Sequence, residues 1–99
     1  MPEIVWLTEA LEDTERLFSF LRDKNSQAAI NLAQALQGGT KLLADFPEVG
    51  RPMDDNTKRR ELFIPFGQNG YVLRYILDLE FVVIIRVWHC RENRDYLEQ

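Results

Sequence analysis

The chain has 99 residues, enough for one domain around a single modest core and too few for a second. Its 45% hydrophobic and 28% charged residues match an ordinary globular protein, and no apolar run approaches the roughly 20 residues needed to cross a bilayer. A formal net charge of −4 argues against general nucleic-acid binding, which rests on a basic face that neutralises phosphates.

The charge is unevenly spread. Residues 1–55 hold 5 Lys and Arg against 10 Asp and Glu; residues 56–99 hold 7 against 6, three of them consecutive at Lys58, Arg59 and Arg60. An anionic partner is therefore expected at the second half. The opening MPEIVWLTEAL has no basic region ahead of a hydrophobic stretch, and a single cysteine, Cys90, supplies neither a disulfide nor a Cys-rich metal site. A cytoplasmic location, no cofactor and no metal site are expected.

In chain order, Ile4-Val5-Trp6-Leu7 is long enough for one strand. Thr8 then offers a hydroxyl to cap a helix, and Glu9, Glu12 and Asp13 oppose the positive end of its dipole. Ala10, Leu11, Thr14, Leu17, Phe18 and Leu21 recur at helical spacing, which predicts a helix over about residues 8–23. Asp23-Lys24-Asn25-Ser26 is a polar break holding two cap candidates. Ala29, Leu32, Ala33, Leu36, Thr40 and Leu43 then share one face of a second helix, ended by Phe46-Pro47. Gly38-Gly39 weakens this helix or bends it, at roughly 1 kcal/mol per glycine, and small residues there would let the two helices approach closely.

Pro47 to Thr57 reads as a loop, with two prolines and a glycine among polar residues. Three strands follow. The first is Glu61 to Pro65, then a turn at Phe66-Gly67-Gln68-Asn69-Gly70 with glycines where positive φ is tolerated. The second is Tyr71 to Leu77, and Asp78-Leu79-Glu80 turns into the third, Phe81 to His89. The order β-α-α-β-β-β predicts an α+β domain: a helical hairpin packed on one face of a small, mainly antiparallel sheet. Strand alternation places Val72, Arg74 and Ile76 opposite Tyr71, Leu73, Tyr75 and Leu77. In the last strand it places Ile84, Arg86 and Trp88 opposite Val83, Ile85 and Val87. The all-aliphatic second set is expected to face the helices, which leaves Arg74, Arg86 and Trp88 on the open face.

This order of elements, the loop FPEVGRP, the hairpin RRELFIPFGQNGYVLRY and the closing VVIIRVWHCREN together resemble the RelE/ParE toxin superfamily. The hairpin is closest to members described as plasmid stabilisation proteins, which often read PFG-x-x-GY-x-x-x-Y. The resemblance runs from Trp6 to Tyr96 and rests on the combination in order. It implies a growth-inhibiting toxin neutralised by a cognate antitoxin, and leaves a homodimer and a toxin–antitoxin hetero-oligomer both open. RelE-like members cleave mRNA on the ribosome; ParE-like members inhibit DNA gyrase.

Cutting RNA at a 2′-hydroxyl needs a group to take its proton, cations for the developing phosphate charge and a donor to the leaving oxygen. The resemblance implies lysines before the hairpin turn, an arginine directly after its Gly-Tyr, another beyond the last strand and a tyrosine near the C-terminus. This chain has Phe63 and Pro65 in place of the lysines and Val72 after Gly70-Tyr71. Arg91 matches the later arginine, and Tyr96 matches the tyrosine with spacing one residue shorter. Arg74, Arg86, His89, Arg91 and Tyr96 are the catalytic candidates of a rearranged ribonuclease site; histidine changes charge near neutral pH, which suits acid–base work. Arg60, Arg74, Arg86, Trp88 and Arg91 are the candidates for contact with target or antitoxin. Arginine beside tryptophan makes a phosphate-and-base platform, whereas strand arginines are commonly paired with nearby carboxylates and His89 equally suits a hydrogen-bonded structural role. The missing cations make a ParE-like gyrase inhibitor the leading expectation. A RelE-like endonuclease is the alternative, and an inactive homologue that retains antitoxin binding is the third reading.

Overall fold

A computed structural model describes residues 2–92. Seven elements form in chain order: β1 (Glu3–Trp6), α1 (Thr8–Lys24), α2 (Ser26–Asp45), β2 (Arg51–Pro52), β3 (Arg59–Phe66), β4 (Asn69–Asp78) and β5 (Phe81–His89). The strands make one sheet in the order β1-β5-β4-β3-β2, in which only the β1–β5 pairing is parallel. The helical hairpin covers one face. Ala10 and Leu17 of α1 and Leu32, Leu36 and Leu43 of α2 are buried against Leu62, Ile64, Tyr71, Leu73, Tyr75, Val82, Ile84 and Val87 of the sheet.

The expected α+β architecture holds, with differences that have local causes. Thr8 is the first residue of α1, and Leu7 precedes it as a cap without a side-chain bond. Asn25 does cap α2, its side chain accepting from the N–H groups of Gln27 at 2.9 Å and Ala28 at 3.3 Å. α2 runs unbroken through Gly38-Gly39. The close approach at Gly39 is to the sheet and not to α1: a Cβ there would stand 2.7 Å from Ile64 Cδ1. Arg51-Pro52, expected within a loop, forms the short edge strand β2. Of the two turn glycines, Gly67 has positive φ, at 60°, whereas Gly70 is needed because the Phe63 ring lies over its Cα.

The largest difference concerns β5. Its register with β4 shifts between Arg74 and Tyr75: Arg74 pairs with Arg86, but Tyr75 pairs with Ile84, so Ile85 is an extra residue. A bulge of this kind reverses alternation for everything beyond it. Val82 and Ile84 therefore face the helices before the bulge and Val87 faces them after it, while Val83 and Ile85 are only partly buried. The expectation that Val83 and Ile85 point into the core, with Ile84 outside, is overturned. The assignment of β4 is unaffected, with Tyr71, Leu73 and Tyr75 inside.

The bulge coincides with the place where β1 ends. β1 pairs with β5 only as far as Trp6 opposite Ile84, so the edge of β5 beyond that point lacks a strand neighbour. Asp13 of α1 fills the gap: its Oδ2 accepts the Val87 N–H at 2.9 Å. On the other flank, Tyr75 anchors the 47–50 segment to the sheet. Its hydroxyl donates to the Pro47 carbonyl at 2.8 Å and accepts from the Gly50 N–H at 2.9 Å.

Candidate functional site

The candidate residues fall into two groups. On the helix-free face, Arg74 is 8% exposed and donates to Glu61 Oε2 through Nε at 3.1 Å and Nη2 at 2.8 Å. Its guanidinium lies 4.8 Å from the Trp88 ring centroid, a cation–π arrangement. Trp88, expected as an exposed platform, is buried, with 1% of its surface accessible. Arg74 and Trp88 thus meet as expected, but as a packed, carboxylate-paired cluster.

Arg86 turns to the β5 edge and forms two bonds with Asp13, Nε to Oδ2 at 2.8 Å and Nη2 to Oδ1 at 2.9 Å. Arg60 donates through Nη1 to the Glu48 carbonyl at 2.9 Å and the Gly50 carbonyl at 2.8 Å, which braces the loop ahead of β2. Its neighbour Arg59 pairs with Asp55 at 2.9 Å. Three of the named arginines are therefore engaged within the domain. Tyr96 lies outside the described residues.

His89 and Arg91 sit elsewhere, His89 as the last residue of β5 and Arg91 in the turn that follows. The Arg91 N–H donates to His89 Nδ1 at 3.1 Å, the Glu92 N–H donates to the His89 carbonyl at 2.9 Å, and the Cys90 N–H donates to the Gly70 carbonyl at 2.9 Å. Because Nδ1 accepts, the ring carries its proton on Nε2 while it remains neutral. Tyr71 packs edge-on to the His89 ring at 5.1 Å and to Phe66 at 5.3 Å. Burial raises the Tyr71 pKa above the usual phenol value, so its hydroxyl stays protonated at neutral pH.

The Phe66 and Tyr71 rings floor a groove of about 650 Å³ between α1, the β3–β4 turn and the turn after β5. Leu17, Phe20 and Leu21 form its helical wall, and Arg16, His89, Arg91 and Glu92 lie on its rim. Phe20 is 62% exposed on this wall, with Lys24 Nζ 5.3 Å from its ring centroid. The groove offers an apolar floor with cationic and hydrogen-bonding groups at one end, chemistry suited to holding a peptide segment.

One part of the site went unrecognised in the sequence. Asp13 is only 2% exposed, and its carboxylate accepts four hydrogen bonds, two from Arg86, one from Val87 N–H and one from Arg16 Nη1 at 2.8 Å. Burial alone would raise its pKa, but the bonds from Arg86, the Val87 amide and Arg16 outweigh it and hold the carboxyl below its ordinary range. Its spacing from Ala10 and Leu17 put Asp13 within the buried stripe of α1. An acidic residue at such a position was the available signal. Among the described residues, no three His, Cys, Asp or Glu side chains gather as a metal site, and no helix is long and apolar enough to cross a membrane.

Comparison with known proteins accords with this fold. Residues 4–94 match the family described as the ParE toxin of the type II toxin–antitoxin system parDE. Toxin RelE1 of Caulobacter vibrioides is 38% identical over 85 residues, covering 86% of this chain and 89% of that protein. Toxin RelE3 of the same organism is 33% identical, covering 86% and 90%. Among solved structures, the chromosomal ParDE system from P. aeruginosa superposes with a TM-score of 0.69 over 90% of this chain and 96% of that one, at 13% identity, a likeness of fold. The chain belongs to the ParE family of the RelE/ParE superfamily, the toxins of type II toxin–antitoxin systems.

Proposed function

We propose that this toxin arrests growth in the cytoplasm by binding DNA gyrase, without cleaving RNA, and that its cognate antitoxin seats a segment in the groove beside α1. The observation that carries the first part is the state of the strand arginines. A ribonuclease needs cations free to meet a phosphate as charge builds on it. Here Arg74 is committed to Glu61 and Arg86 to the buried Asp13, and Val72 stands directly after Gly70-Tyr71. Releasing either arginine to a phosphate would strand a carboxylate of low exposure, which is costly. Each is better placed to hold the domain together than to stabilise a transition state.

The antitoxin reading rests on the groove's chemistry. The exposed Phe20 and the apolar floor suit the apolar side chains of a partner segment, and Arg91 at the rim suits an acidic one. The chain's own balance of −4 gives this cationic rim local rather than global significance.

A ribosome-dependent mRNA endonuclease is the second reading, favoured by one observation: His89 and Arg91 share a turn at the edge of a groove, so a proton-transfer group and a cation lie together. Relatives bearing the name RelE fit either reading. Induced expression with parallel assays separates them. Growth arrest with intact mRNA and DNA breaks is expected. Cleaved mRNA that depends on Arg91 would support the endonuclease, and absence of arrest would support an inactive homologue.

A further inference from the structure

The rim of the groove is held by a relay that extends beyond what joins α1 to β5. Asp13 and Arg86 already make that junction. Arg16 adds a second connection: Nη1 is seated on Asp13 Oδ1 at 2.8 Å, while Nη2 reaches Glu92 Oε1 at 3.1 Å and Oε2 at 2.9 Å. Glu92 lies in the turn after the last strand, and its Oε1 also accepts the His89 N–H at 2.9 Å. One guanidinium, fixed on a buried carboxylate, thus ties the turn His89–Glu92 to the helix. That turn brings His89 and Arg91 to the groove.

An exposed ion pair contributes little to global stability, largely because two long side chains must be ordered to make it. That cost is reduced here, since Asp13 already orders Arg16 and the His89 amide already engages Glu92. The contact is also a charge-assisted pair to both carboxylate oxygens. Its effect should be local: too small to decide whether the domain folds, large enough to decide where a four-residue turn sits.

We infer that Arg16 and Glu92 are positioning residues, which hold the turn against α1 so that Arg91 stands at the groove mouth to meet a carboxylate on a partner segment whose apolar side chain lies on the floor. This rests on the groove reading given above. The segment is protein, with antitoxin as the occupant; its acidic group would sit near Arg91, clear of Glu92.

The test uses the intact chain with 8-anilinonaphthalene-1-sulfonate, a probe that joins apolar rings to an anion. Amide exchange at His89 and Arg91, probe affinity and the thermal midpoint are measured for wild type, Glu92→Gln, Arg16→Gln and Arg16→Lys. Glu92→Gln and Arg16→Gln are expected to speed exchange at both amides and weaken the probe by about five-fold, the scale of one lost surface pair. The thermal midpoint of Glu92→Gln should stay at the wild-type value. Arg16→Lys, which keeps a cation between the two carboxylates, should retain most of the protection and affinity. Unchanged exchange or unchanged probe affinity in Glu92→Gln would overturn the positioning role. A wild-type chain whose Phe20, Leu21 and Tyr71 resonances ignore the probe would overturn the groove as a binding site, and the proposal with it.

Discussion

Asp13 illustrates how one side chain can join three parts of a small domain. It accepts the edge amide that β1 is too short to reach, neutralises Arg86 at the bulge and seats Arg16 at the rim of the groove. Removing its charge leaves the mostly covered Arg86 guanidinium, 11% exposed, without its carboxylate, so Asp13→Asn should destabilise the fold by about 3 kcal/mol, read as a lower urea midpoint. The pH dependence has a definite sign. The folded-state pKa of Asp13 lies below its unfolded value, so its contribution is complete above the unfolded carboxylate range. It is lost as pH falls through that range, below about 4, towards the folded value. The acid limb of a stability–pH curve should be steeper in wild type than in Asp13→Asn. Tyr75 offers a second test at this scale. Tyr75→Phe deletes a donor to Pro47 and leaves the Gly50 N–H without its acceptor, for a cost of about 1–3 kcal/mol in chemical denaturation.

Among the elements, β5 decides most. Its sequence Phe81-Val82-Val83-Ile84-Ile85 alternates nothing, since every residue is apolar and period-two reasoning has no contrast to use. The strand itself was legible from its β-branched run, and its ends fell where expected. The bulge was not, because it arises where β1 stops and Asp13 takes over the edge, a contact between residues 74 apart in sequence. The helices were easier: Asn25 and the apolar spacing of Leu32, Leu36 and Leu43 fixed α2, and Gly39 found a use against Ile64. β2 escaped notice because two residues carry no periodicity. The bulge makes a sharp prediction. Ile84→Asp places an unpaired carboxylate in the core and should cost several kcal/mol, enough to unfold the chain, whereas Ile85→Asp should leave a folded protein by circular dichroism. The turn between β4 and β5 offers the opposite sign. Leu79 adopts φ 56° and is 95% exposed, so Leu79→Gly should raise the thermal midpoint by relieving about 1 kcal/mol of left-handed strain.

For the molecule as a whole, the family was readable from the order of elements together with FPEVGRP and the hairpin, while the site was readable only in part. Arg91 and His89 do lie on a groove, whereas Arg74, Arg86 and Trp88 are interior members of ion-pair and stacking clusters. Sequence could place these arginines on strands. It could not show that Glu61 and Asp13 would be their partners, since such pairing depends on the register of β3 with β4 and on how α1 lies across β5. Arg74 and Arg86, the strand arginines named as candidates, are committed to Glu61 and Asp13, and the proposed action by binding rests on that commitment. The most direct measurement incubates the purified toxin with gyrase and relaxed plasmid, and in parallel with ribosomes translating a defined mRNA. Loss of supercoiling, reversed by antitoxin, is expected with a message that stays intact. Undiminished supercoiling with a message that the wild type cleaves and Arg91→Ala leaves intact would contradict the binding mechanism and make the toxin an endonuclease.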